Sequence, residues 1–232
     1  MDPPIQNIGD IQEVTQDGKV KKEILELGEG VKKPKLNHLA TVVYKAYFFD
    51  HTEFDSSHES PVVLSLGDIA WPEGFWKGLQ EMRKGELAKI KIKKKYGFGR
   101  KLNTEALKFP VGYEEIDSEK RKRLMTKGII YEVRLVDWVE RVDIEGDGVF
   151  LKTYLVKPVL KEWEKPTEMD ECVINVKAFY STDDVFYTKE NWSTYPSDEA
   201  LPESFRKILE SFKRTEHSTV LVKGAFITEE DA

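Results

Sequence analysis

Apolar and polar residues alternate at period two in three long runs: "HLATVVYKAYFF" from His38, "LAKIKIKKKYGF" from Leu87 and "GIIYEVRLVDWVERV" from Gly128. Alternation of this kind predicts half-buried antiparallel strands. Between the first two runs the period changes. In "PEGFWKGLQEM", Phe75, Leu79 and Met82 recur at i, i+4 and i+7, with Pro72 ahead of the first turn and Gly85 beyond the last. That spacing predicts one short amphipathic helix. A strongly bent sheet wrapped on the helix buries both apolar stripes.

The same order of elements returns later in the chain. "DIAWPEGFWKGLQEMRKGELAKI" from Asp68 and "DEALPESFRKILESFKRTEHSTV" from Asp198 align without a gap, setting Pro72 over Pro202, Phe75 over Phe205, Leu79 over Leu209 and Glu86 over Glu216. Upstream, "KPKLNHLATVVYKAYF" from Lys33 is similar to "KPTEMDECVINVKAFY" from Lys165, in a register that sets Phe54 against Phe186. Two copies of one unit are expected, each long enough for its own core, so tandem domains rather than a solenoid. The expected divisions are an N-terminal tail over 1–18, a first domain over 19–142 and a second over 143–232. The first domain carries a charged insertion at 100–127, in which "DSEKRKRLM" predicts a short charged helix, ahead of a closing strand at about 129–140. The second runs out at "VKGAFITEEDA" with no closing strand, so either it is incomplete or the chain is a fragment of something longer.

Composition narrows the function classes. The 232 residues are 40% hydrophobic and 34% charged, with a formal net charge of −6. One large core or two ordinary ones fit that length, and interspersed charges of both signs suit a soluble surface. Cys172 is the sole cysteine, which rules out an intrachain disulfide and a cysteine-based metal cluster and points to a reducing compartment, cytoplasm or nucleus. The start "MDPPIQNIGD" has neither the basic nor the apolar region of a leader, and no stretch approaches the ~20 apolar residues of a membrane span. The histidines at 38, 51, 58 and 217 show no ligand spacing. The glycines of "GEGVKK" and "GDGVF" belong to turns before strands rather than to a phosphate-cradling loop that opens a helix. No metal and no cofactor is expected. The basic run "KIKIKKKYGFGRK" with "EKRKRL" raises nucleic acid as a partner. Against it, Lys89, Lys91 and Lys93 alternate with Ile90 and Ile92 as the wet face of a one-sided sheet does, and the net charge is acidic.

Five aromatic rings crowd "VVYKAYFFDHTEFDSS" from Val42. Followed in order by "SPVVLSLGD", "GFWKGLQEMRKGELAKIKI", "KYGFG" and "IIYEVRLVDW", this stretch resembles the FKBP family of peptidyl-prolyl cis-trans isomerases over about residues 19 to 142. "LPESFRKILESFKRTEHSTVLVKGAF" is similar to the second FKBP-like domain of large multi-domain immunophilins, in which a tetratricopeptide module commonly follows. The resemblance implies an α+β fold of two tandem domains, each a bent antiparallel sheet on one short helix. It implies rotation about X-Pro bonds of protein segments, no cofactor, and chaperone complexes as partners where a C-terminal module follows. It assigns Tyr44, Phe54, Asp55, Phe75, Phe98 and Tyr131 to a catalytic pocket and Val62, Trp71 and Pro72 to substrate contact. Phe75 would be the floor, where active members usually carry tryptophan, and Asp55 the lone carboxylate at the edge, accepting from Tyr44 or from substrate. Without the resemblance, Tyr44, Phe54 and Tyr131 read as core rings at alternating strand positions, and Asp55-Ser56-Ser57 as a turn or cap.

Some positions depart from the family pattern. Trp71 and Pro72 stand where a Val-Ile pair usually precedes the helix and the isoleucine N–H bonds a ligand carbonyl, and proline has no N–H. Phe98 replaces a tyrosine whose hydroxyl also reaches ligand. Two lost hydrogen bonds at roughly 0.5–1.5 kcal/mol each weaken binding some five- to hundredfold. In the second copy Val176 stands against Tyr44 and Tyr187 against Asp55. Weak isomerase activity is expected from the first domain and none from the second, with a non-catalytic adaptor or co-chaperone as the alternative.

Overall fold

The computed structural model describes residues 6–98, 118–156, 165–180 and 183–223, and the chain divides into two compact units, 1–140 and 141–232. In the first, β1 (Ile11–Glu13), β2 (Val20–Glu26), β3 (Leu39–Phe48), β4 (Glu53–Ser56), β5 (Val62–Ser65), β6 (Leu87–Ile92) and β7 (Ile129–Val139) make one antiparallel sheet in the order β1-β2-β6-β7-β3-β4, with β5 also on β3. The alternation read from the sequence is the pleat itself: in β3, Ala40, Val42, Ala46 and Phe48 are at most 1% exposed, while Lys45 faces water. The predicted run from Leu87 stays extended only to Ile92, after which Lys94–Tyr96 turn as a 3-10 helix.

Helix α1 (Glu73–Gln80) packs into the hollow of this sheet. Pro72 caps it at φ −55°, a value its ring pre-sets, and Glu73 in the first turn suits the helix dipole. Phe75 and Leu79 are fully buried. The helix stops at Gln80, yet the chain beyond still delivers Met82 to the core. Gly74 and Gly78 set how close the helix lies. A Cβ at Gly74 would stand 2.5 Å from Cγ2 of Ile92, and one at Gly78 2.5 Å from Cδ1 and 2.8 Å from Cγ2 of Ile90. Below the helix end, the Lys22 ammonium donates to the Glu86 carboxylate at 2.6 Å and to the Glu81 carbonyl at 2.6 Å, with both side chains of the ion pair at 0% exposure. Burial pushes the Lys22 pKa down, and Glu86 works against that shift.

Two sequence expectations need correction. The tail expected over 1–18 contains β1, paired with β2 from Ile11↔Glu23 to Glu13↔Lys21, and Val14 packs against the core. The turn back into β2 is tight because Gly18, at φ +61°, donates to the Thr15 carbonyl at 2.8 Å. The boundary falls at 140/141 rather than 142/143, since β8 (Arg141–Asp143) pairs with β9 (Phe150–Val156) of the second unit. Residues 99–117, most of the charged insertion, lie outside the described residues; its end forms α2 (Ser118–Thr126). That helix is not wholly solvated: Leu124 is fully buried, and the Arg123 guanidinium lies 4.0 Å over the Phe48 ring while pairing with Asp50.

The second unit contains β8, β9, β10 (Cys172–Phe179), β11 (Val185–Thr194), α3 (Glu203–Ser211) and β12 (His217–Val222). Its contacts recur at a spacing of 130 residues from those of the first. The Lys152 ammonium donates to the Ser211 carbonyl at 2.7 Å and pairs with Glu216 at 3.0 Å, where Lys22, Glu81 and Glu86 stand in the first unit. Ile11↔Glu23 and Val20↔Ile92 become Arg141↔Thr153 and Phe150↔Val222. One difference is large. The described strands form two separate sheets, β12-β9-β8 and β10-β11, rather than one bent sheet, because among the described residues no strand stands where β7 joins β6 to β3 in the first unit. The inward row of β10, Cys172, Ile174, Val176 and Ala178, is accordingly only half-buried.

Candidate functional site

The candidate residues of the first unit arrive on β3, β4, β5, α1 and β7 and on the connecting segments before α1 and after β6. Tyr44 sits mid-β3 facing inward, with Val133 of β7 opposite. On the other edge of β3 the short strand β4 sets Asp55 opposite Ala46, with a register shift between Ala46 and Tyr47. Ser57 pins this corner: the Tyr44 N–H donates to its Oγ at 3.1 Å, and the Ser57 N–H donates to the Tyr44 carbonyl at 2.9 Å. The Tyr44 hydroxyl, carried to the end of its ring, donates to Asp55 Oδ2 at 2.7 Å. Trp71 follows a turn in which the Ala70 N–H donates to the Asp68 carboxylate at 2.9 Å and the Trp71 N–H to the Asp68 carbonyl at 3.2 Å. Phe75 is in the first turn of α1, and Tyr131 is on β7 between Ala46 and Ile90.

These rings touch. Phe75 stacks on Tyr131 with centroids 4.1 Å apart and planes at 28°. Tyr44 stands edge-on to Trp71 at 5.7 Å and to Phe75 at 6.0 Å, and lies 5.7 Å from Tyr131; Trp71 and Phe75 are 5.4 Å apart. Aromatic pairs at such separations and tilts add to the stabilisation from burial alone. Phe75 and Tyr131 are fully buried and Tyr44 is nearly so, whereas Trp71 and Asp55 are half-exposed. Phe98 is buried in the same core; Val62, opposite Val42, and Phe54 are half-buried against it, and Pro72 is buried as the cap of α1. Phe54 contacts Phe48 at 4.9 Å.

The electrostatics follow from this partial enclosure. Burial raises the Asp55 pKa above the usual carboxylate value, with the Tyr44 hydroxyl opposing the shift. Burial first, then the Asp55 carboxylate, pushes the Tyr44 phenol well above its ordinary range. Both tyrosine hydroxyls stay protonated, and Asp55 is the carboxylate that accepts from Tyr44. Proton transfer is not what such a set offers. It offers apolar ring faces with one carboxylate at the rim.

Sequence reasoning brought Tyr44, Asp55, Trp71, Phe75 and Tyr131 to one place and missed Ser57 and Phe48 as supports. Asp55 and Ser56 belong to β4 rather than to a turn, and Ser57 closes the corner after it. A polar depression lined by Asp17, Lys77, Lys95 and Tyr96 among others shares no residue with the ring cluster.

The sequence profile of the FKBP-type peptidyl-prolyl cis-trans isomerase matches residues 30–136, the stretch from ahead of β3 into β7. A peptidyl-prolyl cis-trans isomerase of Schizosaccharomyces pombe is 33% identical over 82 residues, which is 34% of this chain and 73% of that protein. The chain belongs to the FKBP family. FK506-binding protein 5 of Rhizopus delemar is 34% identical over 92 residues, 38% of this chain but only 24% of that longer protein. The FKBP fold extends over both units: the structure of the three FKBP domains of wheat FKBP73 superposes with a TM-score of 0.66, covering 91% of this chain and 84% of that one at 23% identity. As an FKBP, the chain is α+β: the first unit is a bent antiparallel sheet with one short helix packed on it, and the described strands of the second fall in two sheets.

Proposed function

We propose that the first unit binds proline-containing protein segments at the ring cluster and catalyses rotation about their X-Pro bonds weakly. The observation that carries this is the Tyr44 hydroxyl to Asp55 carboxylate hydrogen bond of 2.7 Å beside the stacked Phe75 and Tyr131. It fixes the Asp55 carboxylate at the edge of the apolar ring cluster. The half-exposed Phe54, Val62, Trp71 and Asp55 lie at the outside of the cluster, and the buried Tyr44, Phe75 and Tyr131 lie within it.

The barrier to rotation, about 20 kcal/mol, comes from amide resonance, which a solvated carbonyl strengthens. A site that strips water from the prolyl amide and accepts the twisted geometry lowers it without nucleophile, metal or cofactor. Pro72 offers no N–H and Phe98 no hydroxyl, so this pocket holds the flanking carbonyls with fewer donors than the family pattern provides. Phe75 gives a narrower floor than tryptophan would. Both departures support low turnover.

The second reading is a non-catalytic adaptor, favoured by the 130-residue recurrence. We read the second unit as a copy of the first that keeps the buried lysine and carboxylate but not the site, having Val176 for Tyr44 and Tyr187 for Asp55. Its role is then to present a surface, with chaperone complexes or other partner proteins in the cytoplasm or nucleus as the class of partner. Exchange NMR on a short X-Pro peptide separates the readings. A catalyst loses most of its turnover in Asp55→Ala and Phe54→Ala. An adaptor shows no exchange in the native chain and keeps its partner in both variants. A rate equal to that of fully active isomerases would overturn the claim of weak activity.

A further inference from the structure

The Tyr131 hydroxyl is buried and has no hydrogen-bond partner among the described residues, although the residue is fully enclosed. A hydroxyl taken out of water without a partner carries its full desolvation cost, so an isolated one in a core calls for an explanation. Packing alone does not require it, since phenylalanine fills the same volume against Phe75 and between Ala46 and Ile90. Among the buried side-chain atoms without partners, it alone belongs to the ring cluster; Arg83 Nε, Thr194 Oγ1 and Arg206 Nε do not. The two polar side chains that act on it electrostatically, Tyr44 and Asp55, are engaged with one another, Tyr44 donating to Asp55. Burial, with smaller contributions from Tyr44 and Asp55, keeps the Tyr131 phenol protonated. It is therefore a neutral, unpartnered donor buried within the ring cluster.

We propose that the Tyr131 hydroxyl recognises substrate, donating a hydrogen bond to a backbone carbonyl that flanks the proline but lies outside the rotating amide. This rests on the functional reading above and assigns a donor where Pro72 and Phe98 supply none. The choice of carbonyl follows from the chemistry. A bond to the oxygen of the rotating amide itself would strengthen its resonance and oppose rotation, whereas a bond to a neighbouring carbonyl anchors the segment without that penalty. Such an anchor is made equally in the planar and twisted forms, so it contributes to binding rather than to the rate at saturation. The favoured substrate is a proline with peptide bonds on both sides.

The test is Tyr131→Phe, an isosteric change, read by NMR exchange and titration with a short blocked X-Pro peptide on the full chain. The expected result is a three- to tenfold weaker Kd, the loss of one hydrogen bond, with Tm equal or higher. In the native chain the buried Tyr131 hydroxyl proton should shift downfield on peptide addition. Unchanged Kd in a variant of equal or higher Tm, or a hydroxyl proton indifferent to peptide, overturns the assignment while leaving the isomerase reading intact. A native chain that neither binds nor turns over the peptide overturns both. If the variant does not fold, the hydroxyl proton of the native chain decides alone.

Discussion

Asp55 accepts from Tyr44 at 2.7 Å, yet burial outweighs that bond and raises its pKa. A carboxyl whose folded pKa lies above its unfolded value of about 3.9 binds more protons in the native state, so its contribution to stability is present below that pH and is lost as pH rises through the folded value. Asp55→Asn keeps an acceptor for Tyr44 and removes the ionisation. The variant is expected to melt higher than the native chain at pH 7, with the advantage shrinking towards pH 3; thermal melts across that range check the sign, and a variant less stable at neutral pH contradicts it. This corner was legible beforehand only through the family resemblance, which set Asp55 against Tyr44; the local order Asp55-Ser56-Ser57 alone reads as a turn or cap. Ser57 was not legible as the clamp of Tyr44, since its part depends on the β3–β4 register, which no local pattern states. Nor was the unpartnered Tyr131 hydroxyl, which is defined by what surrounds it in three dimensions.

Helix α1 was read correctly from the spacing of Phe75 and Leu79 and from Pro72, but its distance from the sheet is a property of Gly74 and Gly78. Alanine at an exposed helix position gains up to about 1 kcal/mol over glycine. At Gly78 the new methyl would meet Cγ2 of Ile90 at 2.8 Å, a branch on Cβ that moves only if the stiff χ1 changes. Overpacking of this kind costs typically 1–3 kcal/mol, so Gly78→Ala is expected to be destabilising despite its better propensity, as denaturant unfolding would show. The second unit meets the same constraint differently. At the 130-residue spacing Ser204 and Ile208 replace the two glycines, while Val220 and Val222 replace Ile90 and Ile92, moving bulk from strand to helix. Strand β1 escaped sequence reading for a plainer reason: three residues carry too little alternation to be told from a loop, and only their pairing with β2 defines them.

For the molecule as a whole, tandem organisation could be read from the gapless alignment of the two helix regions, and the structure shows the same spacing in hydrogen bonds and strand register. The second copy was read as lacking a closing strand; that its described strands then fall in two sheets was not, because the division depends on a strand between β12 and β10 rather than on any residue within them. Removing one partner of a buried ion pair leaves the other charge stranded, at roughly 3–5 kcal/mol. Glu86→Gln and Glu216→Gln should therefore each lower stability strongly, the first seen by amide exchange in β3 and β7 and the second in β9 and β12. Equal effects of either change on all four strands would mean that the units do not hold separate cores.

The paired lysines have a practical consequence. Lys22 and Lys152, at 0% and 2% exposure with carboxylate and carbonyl partners, are shielded from amine-reactive reagents while their units stay closed. Slow acylation at these two amines, followed peptide by peptide, would act as a clock for the opening of each unit in the intact chain, with the surface lysines as the internal standard.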